Sequence, residues 1–261
     1  MARPLHVLPT APRATDAPKP VHLAWSGAPV VTSLAAQAIV TLAPGRHPAW
    51  VEYLYRPNGS KPVLDAVRAA YAAHGHRFDL AVIDSALAHS IRLRPTTRIG
   101  INVHPGSLRQ PGFVDTAVDR ARRHHVDPGR VVIELVEFDG AIDLDASRDA
   151  LAALKRAGFA IALDDFGPGA PNFDVLAAGL VDWIKLDRSL CAHIDRSEGA
   201  RRVLAGLVAL VRHAGPGLVA EGIERPTQMR ILRELGVVYQ QGFLFNRPMS
   251  MPSLQPSRST H

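Results

Sequence analysis

The sequence predicts an α/β protein whose strands close into a barrel, and three observations lead to this fold class. Short apolar runs typical of buried strands alternate with helical patterns along most of the 261 residues. The number of these strand–helix units favours a barrel over a doubly wound sheet. No glycine-rich phosphate-binding loop follows any of the strand-like runs, which also argues against a doubly wound sheet.

The elements begin with two strand-like runs, 35–42 and 49–55, which a turn sequence containing Pro44 and Gly45 joins into an antiparallel hairpin. After this hairpin, strands and helices alternate, as expected for a parallel sheet. The expected strands are 99–103, 131–136, 159–163, 183–186, 218–220 and 237–239, and the expected helices are 63–73, 80–90, 114–124, 146–157, 200–213 and 226–235.

The composition is that of a globular protein without disulfides or membrane spans. Hydrophobic residues make up 47% and charged residues 21%, as in globular proteins with a large core. The single cysteine, Cys191, excludes an internal disulfide framework, cannot form a zinc site alone and is consistent with the reducing cytoplasm. The net charge of +6 suits an anionic substrate, and we expect no DNA or RNA partner. No apolar run approaches the roughly 18 residues of a membrane span, so no membrane partner is expected.

The chain is expected to form one domain. Residues 1–27 are rich in proline and alanine and predict a disordered leader. No linker divides residues 28–252, which we assign to the domain, and residues 253–261 are expected to form a flexible tail.

Two adjacent carboxylates, Asp164 and Asp165, follow the apolar run 159–163. They repel each other and are hard to desolvate unless a cation lies between them. Divalent metal is the usual partner, because paired carboxylates can hold hard cations for phosphoryl chemistry. An acidic helix N-cap is the alternative interpretation.

Polar residues stand near the C-terminal ends of nearly all the expected strands, which favours the metal interpretation. In a parallel barrel these ends open onto one face, where barrel active sites form. Carboxylate and amide oxygens suit Mg²⁺ or Mn²⁺, and the lack of His or Cys among them argues against zinc. Lys185 would stay protonated among carboxylates and could orient a water or hold a phosphate oxygen. The set comprises Glu52, Asn102, Glu134, Glu137, Asp164, Asp165, Lys185, Glu221 and Gln241.

Seven short motifs in order carry a resemblance to a known family. They are EYLYR at 52–56, NVHP at 102–105, ELVE at 134–137, DDFG at 164–167, IKLD at 184–187, VAEGIE at 219–224 and QGFLF at 241–245. Together they resemble the EAL-domain family of cyclic di-GMP phosphodiesterases, and the segment around Gln37 resembles the start of that domain. The resemblance implies a modified TIM-type (β/α)8 barrel with one antiparallel strand, in agreement with the hairpin.

The resemblance also implies a function. Members of the family use two divalent cations, Mg²⁺ or Mn²⁺, to hydrolyse cyclic di-GMP to the linear dinucleotide pGpG, and a homodimer is expected. By position, the first metal would be bound by Glu52, Asn102, Glu134 and Asp164. Asp164 would bridge to the second metal, which Asp165 also binds.

The remaining roles follow from the same resemblance. Lys185 would hold the attacking water, and Glu221 is a candidate general base or second-metal partner. Arg56 would contact a substrate phosphate, and Gln241, also on the substrate-binding side, would support the water at the metals. Glu137 would steady the loop after Asp165. Further supporting residues are Asp187, Glu224 and Gln37.

Three departures from the family pattern stand out. Tyr53 replaces the alanine of Glu-Ala-Leu and should point away from Glu52, which affects packing. His104 replaces a serine and is expected to touch substrate or loop. The loop 167–173 contains Pro168 and Pro171, which remove backbone donors. That loop motivates an alternative, a catalytically weak or inactive cyclic di-GMP receptor that acts through a protein partner. A structural module that binds neither nucleotide nor metal is a third hypothesis.

Overall fold

The computed structural model describes residues 21–23, 30–43, 49–57, 62–136, 144–167 and 176–251, with the backbone alone for 21–23, 30–32 and 144–145. Its strands are β1 (Val21–Leu23), β2 (Val30–Thr41), β3 (Trp50–Arg56), β4 (Arg98–Val103), β5 (Val131–Leu135), β6 (Ala160–Phe166), β7 (Trp183–Leu186), β8 (Gly217–Ala220), β9 (Tyr239–Gln240) and β10 (Met249–Ser250). Its helices are α1 (Val63–His74), α2 (His76–Ser90), α3 (Pro105–Leu108), α4 (Phe113–Arg123), α5 (Leu144–Arg156), α6 (Arg188–Cys191), α7 (Glu198–Ala214) and α8 (Pro226–Glu234).

Strands β2 to β9 close into an eight-stranded barrel. Neighbouring strands from β3 to β9 are parallel, whereas β2 is antiparallel to both β3 and β9 and completes the ring between them. Two further short strands, β1 and β10, pair with β2 in antiparallel fashion. The predicted α/β barrel with one antiparallel strand is therefore confirmed.

Helices cover the outside of this barrel. The core between sheet and helices contains the outward-facing side chains of the strands, such as Tyr53, Ile101 and Ile133, which are fully buried. Helix α7 begins at the N-cap Ser197, whose side chain accepts a hydrogen bond from Ala200 N, and ends before Gly215 at φ 107°. Among the described residues, no helix has both the length and the apolarity needed to cross a membrane.

The predicted elements differ from the structure mainly at their ends. Strand β6 continues through Asp164 and Asp165 to Phe166, three residues beyond the expected end, and α2 begins at His76, four residues early. Strands β1 and β10 were not predicted, and β1 lies within the range 1–27. The division of the chain into leader, domain and tail stays a prediction.

The inside of the barrel contains an apolar layer, called here the apolar floor. It is built from one inward-facing residue on each of seven strands, and three of its members are aromatic. Trp50 contacts Trp183 edge to face with 5.0 Å between ring centroids, and Trp183 meets Tyr239 in the same way at 4.9 Å. The apolar floor comprises Ile39, Trp50, Val132, Ala162, Trp183, Val219 and Tyr239.

Candidate metal centre

A second inward-facing layer, called here the polar layer, lies directly above the apolar floor. Because side chains alternate along a strand, the inward residue two positions beyond each floor residue points into the same interior. The strands β3 and β5 to β9 all follow this rule, as in Trp50 and Glu52. Strand β2 runs the other way, so Gln37 precedes Ile39. The polar layer comprises Gln37, Glu52, Asn102, Glu134, Asp164, Lys185, Glu221 and Gln241.

Lys185 lies at the centre of the polar layer and is 1% exposed. Its Nζ lies 2.6 Å from Glu134 Oε2, 2.9 Å from Glu221 Oε1 and 3.0 Å from Asp164 Oδ1. Glu52 Oε2 is 3.5 Å away. Four strands thus direct carboxylates at one ammonium group from β7, and the predicted convergence of these residues is observed.

Amide side chains hold Glu52 from both sides. Asn102 Nδ2 donates to Glu52 Oε1 at 3.0 Å, and Gln241 Nε2 donates to Glu52 Oε2 at 2.7 Å. Gln241 Nε2 also lies 3.3 Å from Gln37 Oε1, so the antiparallel strand β2 supports the site through Gln37. These contacts restrict the rotation of the Glu52 carboxylate.

A backbone irregularity brings Asp165 to the same face as Asp164. The pairing of β6 with β7 shifts between Leu163 and Phe166, and Asp165 has a φ of 50°. Aspartate tolerates this left-handed conformation better than most residues do. The Asp165 backbone N–H donates to Asp164 Oδ1 at 3.0 Å. Two adjacent residues of one strand can therefore offer carboxylates to one site.

Two groups of carboxylates are spaced as ligands of a metal ion would be. One contains Glu52, Glu134 and Asp164, and the other contains Asp164, Asp165 and Glu221. Within each group, one oxygen per residue lies within 4.8 Å of the others, and Asp164 belongs to both groups. The buried Oδ1 of Asn102 has no hydrogen-bond partner among the described residues, as expected for an atom suited to binding a cation. The donor set therefore fits two hard divalent cations.

The charge of the cluster supports the same conclusion. Five carboxylates and one ammonium group leave four formal negative charges, which two divalent cations would neutralise. Without such cations, burial and neighbouring carboxylates favour protonation. Burial raises the pKa of Glu134 to about 8, although Lys185 opposes the shift. Burial and the adjacent Asp164 raise the pKa of Asp165 to about 6.

The remaining groups of the cluster shift in directions set by their contacts. Burial raises the pKa of Asp164 and raises that of Glu221 well above its usual value, against the influence of Lys185. Burial also acts to raise the pKa of Glu52, but Lys185, Gln241 and Asn102 outweigh it and leave this pKa lowered. Burial lowers the pKa of Lys185, but the surrounding carboxylates outweigh it and hold the pKa well above its usual value. Without cations, these contacts therefore favour the ammonium form of Lys185.

A cleft of about 660 Å³ opens above the polar layer. Of the predicted supporting residues, Gln37, Asp187 and Glu224 line it. Sequence reasoning missed three further lining residues, Arg188, Arg225 and Phe243. Arg188 and Arg225 directly follow the motifs that end at Asp187 and Glu224, and Phe243 lies within the motif 241–245, so the sequence placed all three near the site.

Two of these residues, Arg225 and Phe243, differ in how firmly their side chains are held. Arg225 is held by Asp195 through two hydrogen bonds, of 2.7 Å from Nε and 2.9 Å from Nη2, and it also donates to the Ala192 carbonyl at 2.7 Å. Phe243 is 49% exposed, and the Arg247 guanidinium lies 4.2 Å from its ring centroid. The mouth of the cleft thus combines an arginine held by Asp195 with an exposed aromatic ring.

Two residues singled out from the sequence take other positions. Arg56, at the end of β3, is half-buried and is not among the lining residues of the cleft; its Nη1 donates to the Tyr55 carbonyl at 2.9 Å. Its contact with a substrate phosphate stays a prediction. His104 caps α3, because its Nδ1 accepts the Gly106 N–H at 3.1 Å. Its expected contact with substrate or loop stays a prediction.

The loop that follows β4 has a support that the sequence did not reveal. The buried carboxylate of Asp79 accepts the His104 backbone N–H at 3.1 Å and also binds the Tyr71 hydroxyl.

Two predictions fall on residues that the structure does not describe. Glu137 was expected to steady the loop after Asp165, and residues 168–173 belong to the loop that motivates the receptor alternative.

Comparisons with known proteins agree with this geometry. Residues 34–248 match the model of the EAL domain family. The manganese and cyclic di-GMP complex of Klebsiella pneumoniae BlrP1 superposes with a TM-score of 0.75 at 33% identity, over 90% of this chain and 59% of that one. The cyclic di-GMP phosphodiesterase RocR of Pseudomonas aeruginosa is 34% identical over 58% of this chain and 38% of its own length.

A further relative is the probable cyclic di-GMP phosphodiesterase PdeA of Escherichia coli. It is 30% identical over 67% of this chain, and the matched region covers 24% of the length of PdeA. The chain thus spans about a quarter to two fifths of these two curated relatives. With a family match over most of its length and a barrel of the same architecture, the chain belongs to the EAL domain family.

Proposed function

We propose that this chain hydrolyses cyclic di-GMP to linear pGpG with two divalent cations, Mg²⁺ or Mn²⁺. The observation that carries the proposal is the pair of carboxylate groups that share Asp164, inside a cluster with a formal excess of four negative charges. The relatives named for cyclic di-GMP hydrolysis and the BlrP1 complex with manganese and cyclic di-GMP support the choice of substrate and cation.

The described residues divide naturally between two cation sites. Glu52, Asn102 and Glu134, with Asp164, would hold the first cation, and Asp164, Asp165 and Glu221 would hold the second. Two such cations, when bound, stabilise the attacking and leaving oxygens of an in-line displacement and lower the pKa of a water molecule. Because Glu221 belongs to the second group, the role of second-metal ligand is favoured over that of general base.

Lys185 is the residue that we expect to bind and orient the attacking water. Its ammonium group is fixed at the centre of the polar layer and can donate to a water oxygen and orient that oxygen toward phosphorus. The water oxygen forms the new bond to phosphorus as the bond to the 3′ oxygen breaks. The attacking water loses one proton and the departing 3′ oxygen takes one up, so the net change is the addition of water. The products are one 5′-phosphate and one 3′-hydroxyl, and the ring opens into the linear dinucleotide.

The proposal is tested by incubating the full chain with cyclic di-GMP and Mg²⁺ or Mn²⁺ and separating the products by chromatography. We expect pGpG to accumulate and to be absent when a chelator is added. Glu52→Gln should abolish the product, whereas Glu198→Gln, on a carboxylate that is 80% exposed, should not. Tight binding of cyclic di-GMP without product at either metal would refute the proposal and favour the receptor alternative.

Other expectations accompany this function. A homodimer, a cytoplasmic location and the absence of a nucleic-acid partner stay predictions, and sedimentation analysis tests the first of them. No observation on the described residues favours the receptor alternative or the structural module.

A further inference from the structure

Trp50 occupies an unusual position below the candidate metal centre. It is the first residue of β3 and points into the barrel, two residues before Glu52. It is 0% exposed, although tryptophan is rarely buried completely because of its size. Its ring is fixed by Trp183 at 5.0 Å and by Tyr239 at 6.4 Å, so it has little freedom to move.

The indole of Trp50 also makes a polar contact with the layer above. Its Nε1–H donates to Glu134 Oε1 at 3.3 Å, whereas the other oxygen of Glu134 lies 2.6 Å from Lys185 Nζ. A carboxylate rotates easily about its last torsion, which has a broad energy profile. Contacts to both oxygens, one from the apolar floor and one from the polar layer, set the plane of the Glu134 carboxylate.

The neighbouring strand leaves space for this contact. A Cβ atom at Gly100 would lie 1.8 Å from Glu134 Oε1 and 3.1 Å from Trp50 Nε1. The first distance is far too short for any side chain, so a residue other than glycine at this position would displace the carboxylate. Gly100 on β4 and Trp50 on β3 together form a slot for one carboxylate oxygen.

We propose that Trp50 is a positioning residue for the metal centre. Its indole N–H holds Glu134 Oε1 against the apolar floor and thereby directs Oε2 to the side where Lys185 and the first cation would lie. The inference rests on the proposed function for its catalytic meaning, because Trp50 acts through Glu134 and touches no substrate. It extends the site from the polar layer into the apolar floor.

The first test measures Mn²⁺ affinity of the full chain by the electron paramagnetic resonance signal of free Mn²⁺. Trp50→Phe keeps an aromatic ring and removes the donor, and we expect its affinity to fall roughly 10–100-fold, as for other partners of metal ligands. Trp183→Phe is the matched control. It replaces an indole of the same aromatic cluster by a phenyl ring, but the Trp183 indole donates no hydrogen bond to a described carboxylate. Equal effects of the two substitutions would overturn the inference.

The second test needs neither metal nor turnover. The chain contains three tryptophans, and comparison with Trp50→Phe assigns the indole N–H resonance of Trp50 in a ¹⁵N–¹H spectrum. Should that variant not fold, Trp25→Phe and Trp183→Phe assign the same resonance by elimination. We expect this proton to exchange slowly and its resonance to shift in Glu134→Gln. An unchanged resonance or rapid exchange would overturn the inference. Because this readout is independent of hydrolysis, an inactive protein would refute the proposed function and leave the role of Trp50 decided by the spectrum.

Discussion

The apolar floor and the polar layer lie two residues apart on the same strands, yet their energetic consequences are opposite. Each apolar side chain buried in the floor stabilises the fold by about 1.5–3 kcal/mol. Each charge taken out of water in the polar layer costs several kcal/mol before its partners offset the loss. The barrel therefore places a layer that favours folding directly below a layer that serves binding.

The cost of burying carboxylates explains why the polar layer contains a buried ammonium group. Glu134 is 0% exposed and Glu52 is 4% exposed, so water cannot stabilise their charges. Lys185 contributes one positive charge, and protonation or divalent cations must supply the remainder. Substitutions in the polar layer should thus change function much more than stability once metal is present, whereas substitutions in the apolar floor should do the reverse, except at Trp50, which contacts Glu134.

The largest expected effect is that of Lys185→Met, which keeps the length of the side chain and removes its charge. Turnover should fall by at least about 10³-fold while cyclic di-GMP still binds, because the substitution removes the group that orients the water. In the metal-free protein the unfolding free energy should fall by about 3–5 kcal/mol, since buried carboxylates lose their partner. Single-turnover kinetics, binding titration and urea denaturation measure the three quantities.

Lys155→Met is the matched control for that experiment. Lys155 Nζ forms an ion pair of 2.9 Å with Asp182, but its side chain is 32% exposed. A solvated pair of this kind contributes at most about 1 kcal/mol. If the two lysine variants lost equal stability in the absence of metal, the contrast between the polar layer and an ordinary surface would not hold.

The second prediction concerns Glu134→Gln and separates function from stability. Metal affinity and turnover should be lost, because an amide cannot supply the charge of a carboxylate. The metal-free variant should nevertheless be more stable than the wild-type protein at pH 8.5. Burial raises the pKa of Glu134 from 4.5 to about 8, so the folded wild-type protein binds more protons than the unfolded chain between these values. Its stability therefore falls as the pH rises through this window.

Urea denaturation at pH 6, 7 and 8.5 in the presence of a chelator checks this sign. The advantage of Glu134→Gln over wild type should grow with pH and level off above about 8. Glu198→Gln, on the exposed face of α7, should show no such trend. A constant difference between Glu134→Gln and wild type at all three pH values would contradict the assignment.

The polar layer was the part of the site that could be predicted from sequence, and the apolar floor was not. Glu52, Lys185 and Gln241 stood out because charged or amide side chains next to apolar runs are rare enough to attract attention. Val132 and Val219 looked like any buried strand residue, since a sequence does not show which face of a parallel strand points into the barrel. The closure of β2 onto β9 was needed before the two layers could be separated.

The errors at strand ends have a related cause. The predicted strand ended at Leu163, before the two aspartates, but the irregular pairing of β6 keeps them in the sheet and gives Asp165 a φ of 50°. Strand β10 contains two residues, too few to produce a period of two. The hairpin and the strand 183–186 were predicted well, because mostly apolar runs, interrupted by single polar residues such as Lys185, define them.

The third prediction is a substitution in the apolar floor that should affect stability alone. Ile39 is 0% exposed and lies two residues from Gln37 on β2. Ile39→Ala should lower the unfolding free energy by about 2–5 kcal/mol, because it leaves a cavity among packed side chains. Turnover of the folded fraction should stay within about threefold of wild type at low temperature. A large loss of turnover in fully folded protein would show that the two layers do not act separately.

The smallest expected effect marks the lower edge of the apolar floor. The guanidinium of Arg98, at the start of β4, lies 5.6 Å from the ring centroid of Trp183 and closes the floor from below. Arg98→Met keeps the apolar stem and removes the charge, so stability should fall by only about 0.5–1 kcal/mol. A double-mutant cycle with Trp183→Leu isolates the contact, since additive losses would mean that the ring and the cation are not coupled. Metal affinity should not change, because Arg98 lies on the opposite side of the apolar floor from the carboxylates. A weakened affinity would show that the apolar floor transmits changes from its lower edge to the polar layer.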